Sequence, residues 1–248
     1  MDAYQGFRLA PGAPAPVQQS QVSCGAACLL VARMMCDPQL ARWVTTGTHE
    51  TNAAKPDGRT AAQRFGELER RIMARTNAFA PYPGVVQTPW PRALGTPPWG
   101  ARVELEHGAA TRGTDYQVLL VRHRQAAGLA DTYRTLVSRV CAGRPALLYV
   151  GNARVPRHVT MVFADESAGL LVYEPAQGSV EPLSRQALRA RRLNLGGWNQ
   201  PWFLVLPTGL RSLRVGRLAR NRPELTRPQA MPGGTLVREE SRGSGVLT

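Results

Sequence analysis

The chain has 248 residues, of which 43% are hydrophobic, so it is long enough to bury one sizeable core. No apolar run approaches the length of a membrane-spanning helix, and the N-terminus lacks the basic and apolar regions of a secretory signal. The net charge of +14 would fit a protein that binds nucleic acid. However, Lys55 is the only lysine, so the other basic residues are all arginines, which is typical of GC-rich codon usage, and no nucleic-acid-binding motif is present. We therefore expect no specific nucleic-acid binding and a cytoplasmic location, with export by a dedicated secretion system left open.

The cysteine pattern excludes two further classes of protein. Four cysteines over this length form neither a disulfide framework nor a zinc-binding pattern. We expect free thiols in a reducing compartment and no metal or cofactor. The four are Cys24, Cys28, Cys36 and Cys141.

The first informative stretch is residues 17–35, which follow an irregular, Pro- and Ala-rich segment over 1–16. A polar, Gln-rich lead-in is followed directly by an almost wholly apolar run, which predicts a buried helix over about 25–35. Cys24 then lies at the helix N-terminus, where free amide groups and the helix dipole favour a thiolate. Gly25 is predicted to let the backbone turn sharply and leave the sulfur uncovered. A structural cysteine at the start of a core helix is the alternative.

The next part of the chain predicts two helices joined by a loop. A short helix over 38–45 is predicted from an Asp cap and a Pro start, and an amphipathic pattern predicts a longer one over 60–76. The polar segment 46–57 predicts a loop, in which His49 is interpreted as a solvated residue. The segment 80–100 is rich in Pro, Gly and Trp, which indicates stiff, extended backbone with exposed or half-buried rings.

Two strands and a helix are predicted in the middle of the chain. Residues 101–106 and 116–121 are the predicted strands, and 129–142 is a predicted helix that Gly143 ends. His123 follows the second strand but is a weak candidate base, because no acidic residue before a proline follows it.

A strand hairpin further along supplies a base and an acid. Apolar runs over 146–150, 158–163 and 170–173 predict three strands, the last two joined by a polar turn. His158 and Glu174 are expected to meet across this hairpin. Pro175 ends the pairing and keeps Glu174 extended at the strand end, where its carboxylate can fix the tautomer of the imidazole.

A glutamine upstream of Cys24 completes the candidate site. The Gln18 amide and the backbone N–H of Cys24 are predicted to bind an oxyanion, with Gln19 and Gln21 as competitors for that role.

The C-terminal part closes the fold and then changes character. A short helix is predicted over 184–190 and a closing strand over 198–206. From residue 209 to 248 the chain is basic and loses hydrophobic periodicity, which predicts a disordered tail. We expect one domain over 1–208.

In order and type, these residues resemble the papain-like cysteine peptidase superfamily, within it the bacterial peptidases that remove double-glycine bacteriocin leaders and their stand-alone relatives. Those proteins carry Gln, then Cys-Gly-x-Ala, then His-x-Val, then Asp-Pro-x-x-Gly. Here Ser23 replaces the usual Asp before the cysteine, and Glu174 replaces the Asp before proline. The resemblance covers roughly residues 16–35 and 143–183, and it implies that the segment 80–100 forms one wall of a substrate cleft. A packed surface loop is the alternative for that segment.

We therefore predict an α+β, papain-like fold in which an N-terminal helical part carrying Cys24 packs on an antiparallel sheet. The expected activity is cleavage of a peptide bond in a peptide or protein substrate by Cys24, His158 and Glu174, with Gln18 at the oxyanion. A papain-like glutamine deamidase or transglutaminase-type toxin is one alternative. A papain-like binding module without catalysis is another.

Overall fold

A computed structural model describes residues 6–48 and 57–211, the last two by their backbone alone. His49 and residues 212–248 of the predicted tail lie outside the described residues. The helices are α1 (Cys24–Cys36), α2 (Pro38–Thr46), α3 (Ala61–Thr76), α4 (Pro98–Glu104), α5 (Ala126–Arg139) and α6 (Arg185–Ala190). The strands are β1 (Thr114–Leu120), β2 (Ala146–Gly151), β3 (Pro156–Asp165), β4 (Gly169–Glu174), β5 (Ser179–Pro182) and β6 (Gln200–Arg211).

The six strands form one antiparallel sheet in the order β1-β6-β2-β3-β4-β5. Helices α1–α4 cover one face of the sheet, and a core that includes Leu30, Met161 and Tyr173 fills the space between them. Helices α5 and α6 cover the other face over a second core that includes Leu136, Leu148 and Leu188. The predicted α+β class is confirmed, with the N-terminal helices packed on the C-terminal sheet. No helix in the described part of the chain is long and apolar enough to cross a bilayer.

Helix α1 is buried along nearly its whole length, as its apolar sequence predicts. Its Ala and Leu side chains are inaccessible to solvent, so the helix occupies the centre of the first core rather than its surface. Because the helix axis is fixed by packing on every side, the residue at its N-terminus, Cys24, is held in one place.

The starts of the next two helices match the capping signals in the sequence. The Asp37 carboxylate accepts a hydrogen bond from the Leu40 amide at 3.2 Å, and a proline occupies the first position of α2. Thr60 and Gln63 form a reciprocal capping box at the start of α3, with hydrogen bonds of 2.8 and 3.2 Å. These local signals determine where α3 begins, and α3 carries the buried Glu69.

The predicted strand over 101–106 is wrong: these residues belong to α4 and to the π-helical turn (Leu105–Ala109) that continues it. The alternating pattern is that of a helix whose polar residue is buried. Glu104 faces inward because it accepts hydrogen bonds from Arg75 and from the Tyr82 hydroxyl, the latter at 2.7 Å. A buried carboxylate paired in this way leaves no signal in hydrophobic periodicity.

The predicted helix over 129–142 has the right type and the wrong end. Helix α5 ends at Arg139, since Val140 is already extended, and Cys141 and Arg144 close a tight turn. Gly143 has φ 72° and serves that turn rather than a helix C-cap. The sequence pattern also predicts an inward-facing Val137 in this helix, but the structure leaves it exposed.

The sequence also missed strand β5, which is only four residues long and pairs with β4 at the sheet edge. At the other end, β6 continues past the predicted domain boundary at residue 208 to Arg211, where it pairs with Thr114 of β1.

Candidate active site

Cys24 is the first residue of α1, and its side chain is 5% exposed. The preceding turn is closed by hydrogen bonds to the Ser20 carbonyl from the Ser23 amide at 3.2 Å and from the Ser23 hydroxyl at 2.8 Å. The Ser23 side chain makes no capping hydrogen bond to α1. The first amide groups of a helix lack intrahelical partners and carry partial positive charge, so this end of α1 favours an anion beside Cys24.

Gly25 is required by a neighbouring side chain rather than by a sharp turn. It is helical, and a Cβ atom placed on it would lie 2.7 Å from Thr96 Cβ and 2.9 Å from Thr96 Oγ1. The expected role of Gly25 in turning the backbone is therefore wrong. Its missing side chain lets Thr96 approach the residue next to Cys24.

We expect Gly25→Ala to lower the free energy of unfolding by about 1–3 kcal/mol and to slow thiol alkylation at Cys24, because the new methyl group overlaps Thr96. Chemical denaturation and alkylation rates measure the two effects. Gly128→Ala in α5 is the matched control, since its methyl group would come no closer than 3.3 Å to a flexible Arg124 side chain. Equal stability of Gly25→Ala and wild type would contradict this packing.

His158 lies in the first part of β3, is 7% exposed, and contacts both of its proposed partners. Its Nε2 hydrogen-bonds to Glu174 Oε1, and the Cys24 side chain lies close enough to the ring to affect its pKa. Nδ1 is the ring nitrogen left for the sulfur. One face of the ring lies against Gly196, where a Cβ atom would be 3.0 Å from His158 Cδ2. Nothing in the sequence pattern indicated Gly196.

Glu174 ends β4 and is 4% exposed. Met161 pairs with Tyr173, so Glu174 lies opposite Thr160 and diagonally across the hairpin from His158, a spacing that long side chains bridge. Besides the imidazole, the carboxylate accepts hydrogen bonds from the amides of Ala176 at 3.0 Å and Gln177 at 2.9 Å. The longer Glu side chain, in place of Asp, thus reaches the ring and remains fully hydrogen-bonded.

The site is electrostatically coupled. Burial lowers the pKa of His158, but the interactions with Cys24 and Glu174 outweigh it and raise that pKa to about 9. Burial raises the pKa of Glu174, but the hydrogen bonds from His158 and from the Ala176 and Gln177 amides bring it below its ordinary value. Both effects favour an imidazolium hydrogen-bonded to a carboxylate at neutral pH.

We expect Cys24→Ala to lower the pKa of His158, because the variant loses the partner that does most to raise it. The folded-state pKa of about 9 exceeds the ordinary value of 6.5, so His158 stabilises the fold fully below about pH 6.5 and this contribution is lost as the pH rises through 9. NMR titration of the ring, assigned with His158→Ala, measures the midpoint. The same midpoint in Cys24→Ala and wild type would show that the thiol does not face the imidazole.

Gln18 is tied to the turn that follows Glu174. Its backbone N–H donates to the Pro175 carbonyl at 2.8 Å, and nearby the Ala15 backbone N–H donates to the Gly178 carbonyl at 2.9 Å. The Gln18 side chain is half-buried and donates one Nε2 hydrogen to the Ser20 carbonyl at 2.8 Å, while its Oε1 is buried without a partner among the described residues. One Nε2 hydrogen remains for a ligand. The two competing glutamines, Gln19 and Gln21, are exposed.

The Pro- and Trp-rich segment lies beside the residues that lead to Cys24. Thr96 packs on Gly25, and its carbonyl accepts a hydrogen bond from the Tyr149 hydroxyl at 3.1 Å. Gly95 lies against the Val22 carbonyl, and the neighbouring Leu94 side chain is largely exposed. This placement agrees with a cleft wall, while contact with substrate stays a prediction.

The other candidates lie apart from this site. His123 is exposed in the turn after β1, at the opposite edge of the sheet from β4. All four cysteines are free. Within residues 6–48 and 57–211, no cluster of three or more His, Cys, Asp or Glu side chains is arranged to hold a metal ion.

Comparisons with known proteins add little to this geometry. No protein-family model matches the chain, and no curated protein matches it. Among solved structures it is similar to the avirulence protein AvrPphB of Pseudomonas, at 15% sequence identity over 77% of this chain and 96% of that chain, with a TM-score of 0.41. This likeness is too low to carry an argument about fold family or activity, so the function must be argued from the side chains themselves.

Proposed function

We propose that this protein is a thiol-dependent hydrolase with a papain-like arrangement, in which Cys24 cleaves a peptide bond with the help of His158 and Glu174. One observation carries the proposal: a buried imidazole hydrogen-bonds to a buried carboxylate and lies beside the Cys24 side chain at the start of a buried helix. This is the order of nucleophile, base and orienting acid that acyl transfer requires.

The reaction begins with attack of the Cys24 sulfur on the carbonyl carbon of the substrate. A C–S bond forms, and the carbonyl electron pair moves onto oxygen, where the Cys24 amide and the free Nε2 hydrogen of Gln18 stabilise it. His158 then gives its proton to the leaving amine as the C–N bond breaks. In the second half, His158 takes a proton from a water molecule whose oxygen attacks the acyl carbon. The C–S bond then breaks, its electron pair returns to the Cys24 sulfur beside the protonated His158, and the acid product leaves.

The burial of the His158–Glu174 pair supports a catalytic rather than a structural role for these two residues. Removing an imidazolium and a carboxylate from water is costly, and a pair of apolar side chains would fill the same space without that cost. Perturbed pairs of this kind occur preferentially where chemistry needs them. The pKa of His158 and that of Glu174 both depart from their ordinary values in the direction of a charged pair.

Cys28, one helical turn further along α1, shows what a structural thiol looks like in this fold. It is fully buried, its sulfur contacts the Val159 carbonyl at 3.5 Å, and burial raises its pKa well above the ordinary value. No histidine hydrogen bond is found there among the described residues. The same helix thus carries an inert thiol and a thiol beside a base.

Two alternative reactions share the same acyl-enzyme and differ from peptide hydrolysis in the acyl group that enters the site or in what resolves it. A deamidase would accept a glutamine side chain and resolve it with water, and a transglutaminase would resolve it with an amine. We favour peptide hydrolysis because the order of motifs resembles that of the peptidases that remove bacteriocin leaders. A binding module would retain none of the reactivity of Cys24.

Incubation of the full chain with a peptide library, followed by mass spectrometry of the products, tests the proposal. We expect two shorter products whose masses sum to the substrate plus one water, and no product with Cys24→Ala. Cys141→Ser, which changes an exposed free thiol, is the matched control and should retain full activity. Conversion of glutamine to glutamate without chain cleavage would establish deamidation instead. An unreacted library together with slow alkylation of Cys24 would contradict catalysis and indicate a binding module.

A further inference from the structure

A buried carboxylate on α3 lies directly beneath the turn that leads to Cys24. Glu69 is 1% exposed, and both of its oxygens accept a hydrogen bond from the backbone amide of Gln19, at 3.2 and 3.1 Å. One turn earlier on the same helix, a Cβ atom on Gly66 would lie 3.0 Å from the Gln19 side chain, so α3 and this turn are in close contact.

The same carboxylate also lies beside the far end of the turn. The Ser23 hydroxyl donates its one hydrogen to the Ser20 carbonyl at 2.8 Å and lies close enough to Glu69 to lower the pKa of that carboxyl. Burial raises the pKa of Glu69 to about 7, although the Gln19 amide and the Ser23 hydroxyl lower it. The structure gives Glu69 no ion pair among the described residues, so its contacts are with the turn itself.

These two anchor points flank the turn in a specific way. Gln19 directly follows Gln18, and Ser23 directly precedes Cys24. Gln18 is also held from the opposite side, because its backbone N–H donates a hydrogen bond to the Pro175 carbonyl at 2.8 Å. A shift of the turn by a fraction of an ångström would therefore move the Gln18 side chain and the Cys24 amide relative to each other.

We infer that Glu69 is a positioning residue for the oxyanion site, holding the turn over residues 19–23 so that the Gln18 amide and the Cys24 N–H converge on one oxygen atom. The inference rests on the proposed function and extends it to a residue that touches no substrate. Oxyanion donors act through geometry, and they lose their effect when displaced by much less than their own hydrogen-bond length.

Two reagents that modify the same sulfur separate this role from general support of the fold. Iodoacetamide is attacked at a saturated carbon and loses iodide, so no oxyanion forms. 4-Nitrophenyl acetate is attacked at its carbonyl carbon, passes through an oxyanion, and releases 4-nitrophenolate as the acetyl group remains on sulfur. The first rate reports the Cys24–His158 pair, and the second reports that pair together with the oxyanion donors.

We expect Glu69→Gln to slow acetylation of Cys24 by about 10- to 100-fold while its alkylation rate changes by less than about twofold, since one displaced oxyanion donor typically costs a factor of this order. A glutamine side chain keeps the size of Glu69 but replaces one of the two oxygens that accept the Gln19 amide with an NH₂ group, which is itself a donor. Glu67→Gln is the matched control, because it makes the same change on the same helix in a more exposed residue paired with arginines. It should leave both rates unchanged.

Ser23→Ala is a second variant that removes one of the two anchors without removing a helix cap. It takes the place of Glu69→Gln in the test if that variant does not fold. It should likewise slow acetylation while leaving the alkylation rate nearly unchanged. Unchanged acetylation in the folded variants would overturn the inference, and so would an equal loss of both rates, which would show general support only. If wild-type Cys24 is alkylated no faster than Cys141 and is not acetylated, the proposed function itself fails.

Discussion

Replacing His158 with alanine is expected to slow the alkylation of Cys24 by iodoacetamide at pH 6 by about 30-fold. In the wild type, the sulfur lies beside an imidazole whose pKa is raised to about 9, and a cationic neighbour favours the reactive thiolate form of a cysteine. Without that partner, an ordinary cysteine is ionised to only about 0.3% at pH 6. The expected loss of rate is smaller than the roughly 300-fold loss of thiolate, because thiolates of more acidic thiols are intrinsically weaker nucleophiles.

The measurement is the rate of mass increase of the peptide that contains Cys24, followed from pH 5 to pH 9. Cys141, an exposed free thiol in the same chain, provides an internal standard for ordinary reactivity. His123→Ala is the matched control, since it removes an exposed histidine far from the site. Labelling of Cys24 at the same rate in wild type and His158→Ala would show that no ion pair operates and would remove the basis for a catalytic site.

Replacing Glu174 with glutamine is expected to lower the rate of substrate cleavage by about two to four orders of magnitude, the range typical of lost acid–base catalysis. A neutral amide stabilises the imidazolium less than a carboxylate does, and its NH₂ group opposes the N–H of His158 in one of its two orientations. Glu174→Gln should also bring the pKa of His158 down, since the carboxylate helps to raise it.

Steady-state cleavage measured across pH checks this effect, with the melting temperature measured alongside. Glu181→Gln is the matched control, because this exposed residue of β5 borders the same small polar cavity as Glu174. Glu174→Asp keeps the charge on a shorter side chain and should recover part of the activity. Full activity in Glu174→Gln would mean that the carboxylate serves only to hold the Ala176 and Gln177 amides.

The elements near the site were predictable where a local signal decides the structure. The Asp37 cap and the Thr60 capping box place α2 and α3 because they satisfy backbone amides within a few residues of sequence. The hairpin of β3 and β4 is similarly local, since two apolar runs and a polar turn have one favourable pairing. His158 and Glu174 meet because that pairing sets them diagonally opposite each other.

The failures have other causes. Helix α4 looked like a strand because Glu104 faces the half-buried Arg75 and the buried Tyr82, partners that lie more than twenty residues away in the chain. Strand β5 is too short to show alternation and exists because the edge of β4 is available for pairing. For α4 distant partners outweigh the local pattern, whereas β5 pairs with the preceding strand and is simply too short to be predicted from its own residues.

The sequence by itself determined the chemistry on offer: a cysteine at the start of an apolar helix, a histidine and an acid on paired strands, and a glutamine upstream. These depend on residue type, helix capping and strand pairing, which are short-range. Only the tertiary structure decided how the site is supported, through Thr96 against Gly25, Gly196 against His158, and Glu69 beneath the turn before Cys24. Such contacts join residues far apart in the chain, so close packing and buried hydrogen bonding, which no local pattern encodes, determine them.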